Sequence, residues 1–505
     1  MTDESRNDDK PDAKTDHEPP PGASTTGTWT GGARSIEYEA TAKWLVLRKK
    51  EKPAAEIFSV SYVAEDGGAD RPVMFVFNGG PGASSAFLHL GVVGPQRVAF
   101  PADGTLPEMP PRLMQNEASW LAFADLVFVD PVGTGFSCII ENEKKDDGKG
   151  NDSKEEAADP KEFFGQKRDL ESLCEFMGRW LSGNGRWGSP VFIAGESYGG
   201  YRVGRLVRML QETTGIGLNG AILISPALEI STLIPSDYDV LPWIDALPTM
   251  AAAAAHHGRS GAFAAGTPLD EVLSAAEAFA TADYASFLTR GASMAPDERD
   301  RILSGLADLI GLSVDFVTRA EGRITARAFS RELLRDERKV LGLYDATITV
   351  TDPFPDRDTF TGPDPTLSGI SPAYTMAINR QLRSEIGVQT DREYTLLSYE
   401  VNEAWKEDTE QHFFAAPIGA TDDFRYGMSL NPHMKAFITH GRYDLVTPYY
   451  ASDRLRNLMR LDPDMAGRLT VRHFGGGHMF YAWEASRRDF TESIASFVAG
   501  ATPRA

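Results

Sequence analysis

The chain has little cysteine. Its 505 residues include two, Cys138 and Cys174, and they stand in no metal-ligand or redox spacing. That excludes a disulfide-stapled scaffold and predicts a reducing compartment, or a fold that does without disulfides. Positive charge is also scarce, with 51 Lys and Arg against 72 Asp and Glu and a net charge of −21. A general nucleic-acid surface needs clustered cations, so no nucleic-acid partner is expected. No run approaches the roughly 20 uninterrupted apolar residues of a membrane helix, so no membrane span is expected. The opening MTDESRNDDKPDAK lacks the basic and apolar regions of a secretory signal. A cytoplasmic location follows as the expectation, with a secreted or periplasmic one if the N-terminus has been trimmed.

What is present suits a globular protein. With 42% apolar and 24% charged residues, the chain can bury a large core, as several domains or as one with a substantial insertion. Residues 1–33 are acidic and proline-rich and read as a disordered tail. IEYEATAKWLVLR (36–48) and AEIFSVSYVAED (55–66) alternate as an antiparallel pair at a sheet edge. Short unbroken apolar runs follow: VMFVF (73–77), LVFV (126–129), VFIA (191–194), AILI (221–224) and AFI (436–438). Such runs suit a parallel sheet covered on both faces. Helix-period segments lie between them, with Leu170, Leu173, Cys174, Met177, Trp180 and Leu181 on one and Val203, Leu206, Val207 and Leu210 on another. The acidic run 141–162 reads as a solvated loop.

Strand alternating with helix predicts an α/β fold, a mostly parallel doubly wound sheet. Its first part spans 34–228 and its second 431–505. Residues 229–430 between them are too long for a connection, and we read them as a large helical cap insertion.

After VFIA the chain reads Gly195-Glu196-Ser197-Tyr198-Gly199-Gly200 and then a helical stretch. G-x-S-x-G between a strand and a helix lifts a serine hydroxyl above the sheet, and the flanking residues must be small to allow the turn. Ser197 is the predicted nucleophile. A hydroxyl needs a base held by a carboxylate, and in this fold these follow the serine in the order acid, then histidine. Asp444 follows strand AFI in THGRYD, and His478 follows LTVRHF (469–474) in GGGHM. Among competitors, His473 lies in the strand pattern, His440 precedes Asp444 too closely, and His256 and His257 read as a solvated pair rather than a metal site. Asp130 is the rival carboxylate, but it precedes the serine. One oxyanion donor should be the N–H of Tyr198, and another should come from the loop Asn78-Gly79-Gly80-Pro81-Gly82. No G-K-[ST] follows that loop, so it is no phosphate cradle. Neither a cofactor nor a metal is expected.

FNGGPGASS (77–85), VDPVGTGFS (129–137), GESYGG (195–200), HGRYD (440–444) and GGGHM (475–479) together resemble the serine carboxypeptidase family, across about residues 36–500. The resemblance implies an α/β-hydrolase fold and a triad of Ser197, Asp444 and His478. It implies an oxyanion hole made by the N–H groups of Gly80 and Tyr198. Asn78, the N–H of Gly79 and Glu196 would bind the substrate's terminal carboxylate. Three departures stand out. A second glutamate of eukaryotic members falls, by ungapped counting, on Val92, leaving Arg97 and Glu117 as candidates to replace it. Cysteines usual in the family are Ala83 and Thr447 here. No signal peptide is expected. The set looks like a bacterial branch.

The implied activity is a serine-type carboxypeptidase acting on peptides with a free C-terminus; it fixes no oligomeric state. An esterase or acyltransferase using the same triad is the alternative, and a catalytically silent binding protein is the third.

Overall fold

The computed structural model describes residues 17–140, 160–357, 360–406 and 419–503. The five short apolar runs become the strands β4 (Val73–Phe77), β5 (Asp125–Val129), β6 (Val191–Glu196), β7 (Gly220–Ile224) and β8 (Lys435–Thr439). Their central residues are unbroken apolar runs because successive side chains enter opposite cores. Met74, Val76, Phe128, Ala194 and Ile222 face one core, while Val73, Phe75, Val127, Ile193 and Leu223 face the other.

Before them lie β1 (Ala23–Trp29), β2 (Ile36–Lys49) and β3 (Lys52–Ala64), and after them β9 (Leu469–Val471). The sheet order is β1-β2-β3-β5-β4-β6-β7-β8-β9, with Cys138–Ile139 also pairing β3. From β5 to β9 all pairs are parallel, and β1, β2 and β3 run antiparallel to their neighbours. Phe77 pairs with Gly195, Glu196 with Ile224, and Ile224 with Thr439. The carboxyl ends of β4, β6, β7 and β8 are therefore level, and their loops converge on one edge. That edge is where open α/β sheets hold their sites.

The pair read as a sheet edge is not the edge. β3 sits between β2 and β5, and β1 covers β2 in register from Ala23 opposite Ala42 to Trp29 opposite Ile36. The expected disordered tail thus holds a strand over part of its length, and residues 1–16 lie outside the described residues. Its polar composition is misleading because an edge strand draws on backbone pairing and one anchor. Trp29 is buried and its Nε1 donates to the Asn116 carbonyl at 2.7 Å. Most of the acidic run, 141–159, also lies outside the described residues.

On one face α1 (Gln166–Gly183) and α2 (Tyr198–Met209) cover the sheet. The stretch between β7 and β8 packs as separate pieces rather than as one cap. Helices α3 (Leu241–His256), α4 (Leu269–Phe279) and α5 (Pro296–Ile310) share their own core, built on Trp243, Leu247, Leu273, Leu303 and Leu306. Helix α6 (Pro365–Arg380) instead sends Ile370, Tyr374 and Ile378 into a sheet-face core. Helix α7 (Thr421–Leu430) packs Phe424 and Met428 on the α2 side. The chain closes with α8 (Tyr449–Leu458) and α9 (Glu484–Ala501).

Candidate active site

Ser197 is the single residue between β6 and α2, at φ +62° and ψ −124°. A non-glycine residue there is strained and persists only when its surroundings over-determine it. They do so here. Its N–H donates to Ile224 O at 2.9 Å, and its carbonyl accepts from Gly200 N at 2.8 Å and Ala227 N at 3.1 Å. A Cβ on Gly199 would lie 2.8 Å from Phe77 O, so the neighbouring glycine is needed for the close approach of β4.

The turn after β7 ties three loops together. Ile224 O holds Ser197, the Ser225 hydroxyl donates to His478 O at 2.8 Å, and Ser225 O accepts from the Thr447 hydroxyl at 3.0 Å. His478 Nδ1 lies 2.7 Å from Asp444 Oδ2, with both side chains buried. The other oxygen of Asp444 accepts from Val446 N at 2.8 Å and Thr447 N at 3.0 Å, and the Thr447 hydroxyl donates to Oδ2 at 2.7 Å. A carboxylate so held accepts the Nδ1–H of a neutral imidazole and leaves Nε2 as a base. His478 Nε2 is buried with no hydrogen-bond partner among the described residues. Burial alone would pull the imidazole down, but Asp444, helped by Glu196 and Asp364, outweighs it and holds His478 above its ordinary value.

Glu196 and Asn78 meet directly: Asn78 Nδ2 donates to Glu196 Oε2 at 2.6 Å. The same oxygen accepts from the Tyr481 hydroxyl at 2.8 Å. Burial drives the Glu196 carboxyl up to about 7, against the opposing pull of His478, Tyr481 and Asn78. Val92 is buried in apolar surroundings. Arg97 and Glu117, offered as replacements for the missing acid, pair with each other at 3.4 Å instead. Tyr481 is the partner that sequence reasoning missed. Its only signal is a position three residues beyond His478, on the loop that must reach over the sheet.

Gly79 packs against the elbow so closely that a Cβ would strike Tyr198 N and lie 2.7 Å from both Glu196 O and Gly199 N. Gly80 follows at φ +95°. The Tyr198 N–H opens α2 and so has no intrahelical acceptor. The two loops are locked by Arg202, another residue the sequence did not single out. Buried, it donates to Asn78 O at 2.7 Å and grips Asp169 through Nε at 2.7 Å and Nη2 at 3.2 Å. Its guanidinium also lies over the Tyr198 ring at 5.0 Å.

The other candidates lie elsewhere. Asp130 accepts from Ser85 N at 2.8 Å and the Ser85 hydroxyl at 2.6 Å, bracing the loop after β4. His440 is bonded to Thr447 O at 3.0 Å and the Ser452 hydroxyl at 2.7 Å. His473 meets Asp453 at 3.2 Å. His256 and His257 are edge-to-face neighbours with centroids 4.9 Å apart, and His257 Nε2 sits 2.8 Å from Ala346 O. Among the described residues no group of His, Cys, Asp and Glu could hold a metal ion.

Sheet order, elbow and converging loops define an α/β-hydrolase. Residues 41–240 match the sequence model described as serine carboxypeptidase. The chain is 27% identical over 204 residues to serine carboxypeptidase-like 5 of Arabidopsis thaliana, covering 39% of this chain and 41% of that protein. It is 36% identical over 138 residues to the pheromone-processing carboxypeptidase KEX1 of Saccharomyces cerevisiae, covering 27% of this chain and 16% of that one. The matched segments thus span less than half the length of these curated relatives. The crystal structure of a prohormone-processing carboxypeptidase from Saccharomyces cerevisiae shares the fold, with a TM-score of 0.51 at 15% identity over 92% of each chain.

Proposed function

We propose that the chain is a serine-type carboxypeptidase acting on peptides with a free C-terminus. The observation that carries this reading is the pairing of Asp444 and His478 at 2.7 Å beside the elbow, with Glu196 and Asn78 bonded at 2.6 Å immediately before it. In this reading Ser197 Oγ attacks the carbonyl carbon of the last peptide bond as His478 Nε2 takes its proton. The N–H groups of Gly80 and Tyr198 receive the oxyanion. Collapse breaks the C–N bond, His478 returns the proton to the leaving amine, and water then hydrolyses the acyl-enzyme by the same route.

The terminal carboxylate is met by Asn78, the N–H of Gly79 and Glu196. An ionised Glu196 would repel it, and a protonated one donates to it. Burial that lifts Glu196 to about 7 makes the protonated form available near neutrality. His478 must be neutral to act, so rate rises with pH through its raised pKa, while binding weakens above that of Glu196. Activity is thus bounded on its acid side by His478 and on its alkaline side by Glu196. Free Cys138 and Cys174 support a reducing, cytoplasmic setting as part of the same proposal.

The test compares a peptide with its C-terminal amide. A strong loss of kcat/KM on amidation supports the reading, and equal rates overturn it in favour of an esterase or acyltransferase.

A further inference from the structure

The loops of Asp444 and His478 are bridged by a segment from far away in the chain. After α5, residues Leu343–Ala346, in the turn that joins the ribbon strands Lys339–Leu341 and Thr349–Thr351, run between the two loops. Leu343 O accepts from Leu445 N at 2.9 Å, and Ala346 N donates to Tyr443 O at 3.0 Å. On the other side Tyr344 O accepts from His478 N at 2.5 Å, and the Asp345 carboxylate accepts from Gly477 N at 3.0 Å. The Tyr344 ring stands edge-on to the imidazole with centroids 5.1 Å apart.

Asp345 is itself built in. Its Oδ1 accepts from Thr347 N at 2.9 Å and the Thr347 hydroxyl at 2.6 Å, leaving Oδ2 for Gly477. Its own N–H donates to the Thr366 hydroxyl at 3.2 Å. The fit leaves no slack, since a Cβ on Gly477 would lie within 2.5 Å of the Asp345 and Tyr344 backbone. Burying an acid costs free energy, and here both oxygens are spent on backbone N–H groups and one hydroxyl rather than on a cation. Its position is the notable point. Asp345 holds the N–H of the Gly476–Gly477 peptide and Tyr344 O holds that of the next, Gly477–His478, so the two neighbours fix successive peptides leading into the histidine.

We propose that Asp345 is a positioning residue for His478, clamping the histidine loop from within the insertion so that Nδ1 stays on Asp444 and Nε2 stays free to act as a base. This rests on the carboxypeptidase reading. In it the helical insertion is part of the catalytic apparatus and not only a cover over the cleft.

The test uses Asp345→Asn and the milder Thr347→Val in the full chain. Asparagine keeps the shape but has one acceptor oxygen where two are used. Rates are expressed per active site by titration with a fluorophosphonate, which removes any effect of misfolded protein. Asp345→Asn is expected to lower kcat about 10- to 100-fold, the scale of a small misplacement of a reacting group, with KM changed less than about twofold. The acid limb of the profile should move to lower pH, because an imidazole that grips Asp444 less well holds its proton less well. A second readout needs no turnover: the downfield proton resonance of the His478–Asp444 bond should weaken or exchange faster.

Thr347→Val should move both readouts in the same direction by a smaller amount, and it decides the matter alone if Asp345→Asn does not fold. Unchanged per-site kcat, limb and resonance overturn the positioning role. A wild-type chain that neither labels nor hydrolyses, yet shows the resonance and loses it in the variants, overturns the carboxypeptidase reading while leaving the clamp in place.

Discussion

The hydroxyl of Tyr481 and the amide of Asn78 converge on one oxygen of Glu196, at 2.8 and 2.6 Å. With Oε2 occupied by two donors, a proton added to this carboxyl goes to Oε1. The geometry therefore sets which oxygen of Glu196 becomes a donor. Removing the phenol in Tyr481→Phe deletes a bond that favours the charged form, so Glu196 should titrate higher by about half to one pH unit. The alkaline rise of KM for free-carboxylate peptides should move up by that amount, while amidated peptides show no such shift. An alkaline limb that stays in place would show that Glu196 does not govern it.

Ser197 holds a backbone conformation that favours glycine. Ser197→Ala should lower kcat by about 10⁴- to 10⁶-fold and abolish fluorophosphonate labelling. Ser197→Gly should be equally silent but more stable than wild type by roughly 1 kcal/mol, as strain is relieved. Turnover and labelling check the first half, and thermal melts of the three proteins check the second.

Two glycines make a matched pair. Gly79→Ala forces the loop off the elbow and is expected to cost about 100-fold in kcat by displacing an oxyanion donor. Gly178 in α1 has open space where its Cβ would be. Gly178→Ala should stabilise the chain by about 0.5–1 kcal/mol and leave kcat unchanged.

His89 is buried, stacked on Phe128 at 4.0 Å and bonded to the Tyr62 hydroxyl at 2.8 Å. Burial lowers it to about 3. Since the unfolded chain binds this proton near pH 6.5 and the folded one near 3, the stability it supports is present above pH 6.5. It is lost as pH falls through that window. His89→Phe should therefore melt with a shallower acid decline than wild type, the two curves diverging by on the order of a few kcal/mol by pH 4. Parallel curves between pH 7 and 4 would contradict the assignment.

Legibility in the sequence tracked the range of the interaction. β4 was readable to the residue because a strand buried on both faces writes an unbroken apolar run. Ser197 was readable because its turn is set by glycines within two positions. Asp444 and His478 each follow a short strand, and the structure brings them to one hydrogen bond. Tyr481 and Glu196 are 285 positions apart. A tyrosine that donates to a buried acid looks in sequence like any core aromatic. Asp345 was hidden for the same reason, among charged residues of an insertion whose packing no local period reveals. β1 was missed because its Ser and Thr residues suit a solvated tail as well as an outermost strand.

That outermost strand bears on how the protein can be handled. Without residues 23–29, the long β2 would offer an open ladder of amides and carbonyls to any passing chain. A shortened version starting at Arg34, where composition alone would place the cut, should self-associate. One starting ahead of Pro19 should stay monodisperse at the same concentration.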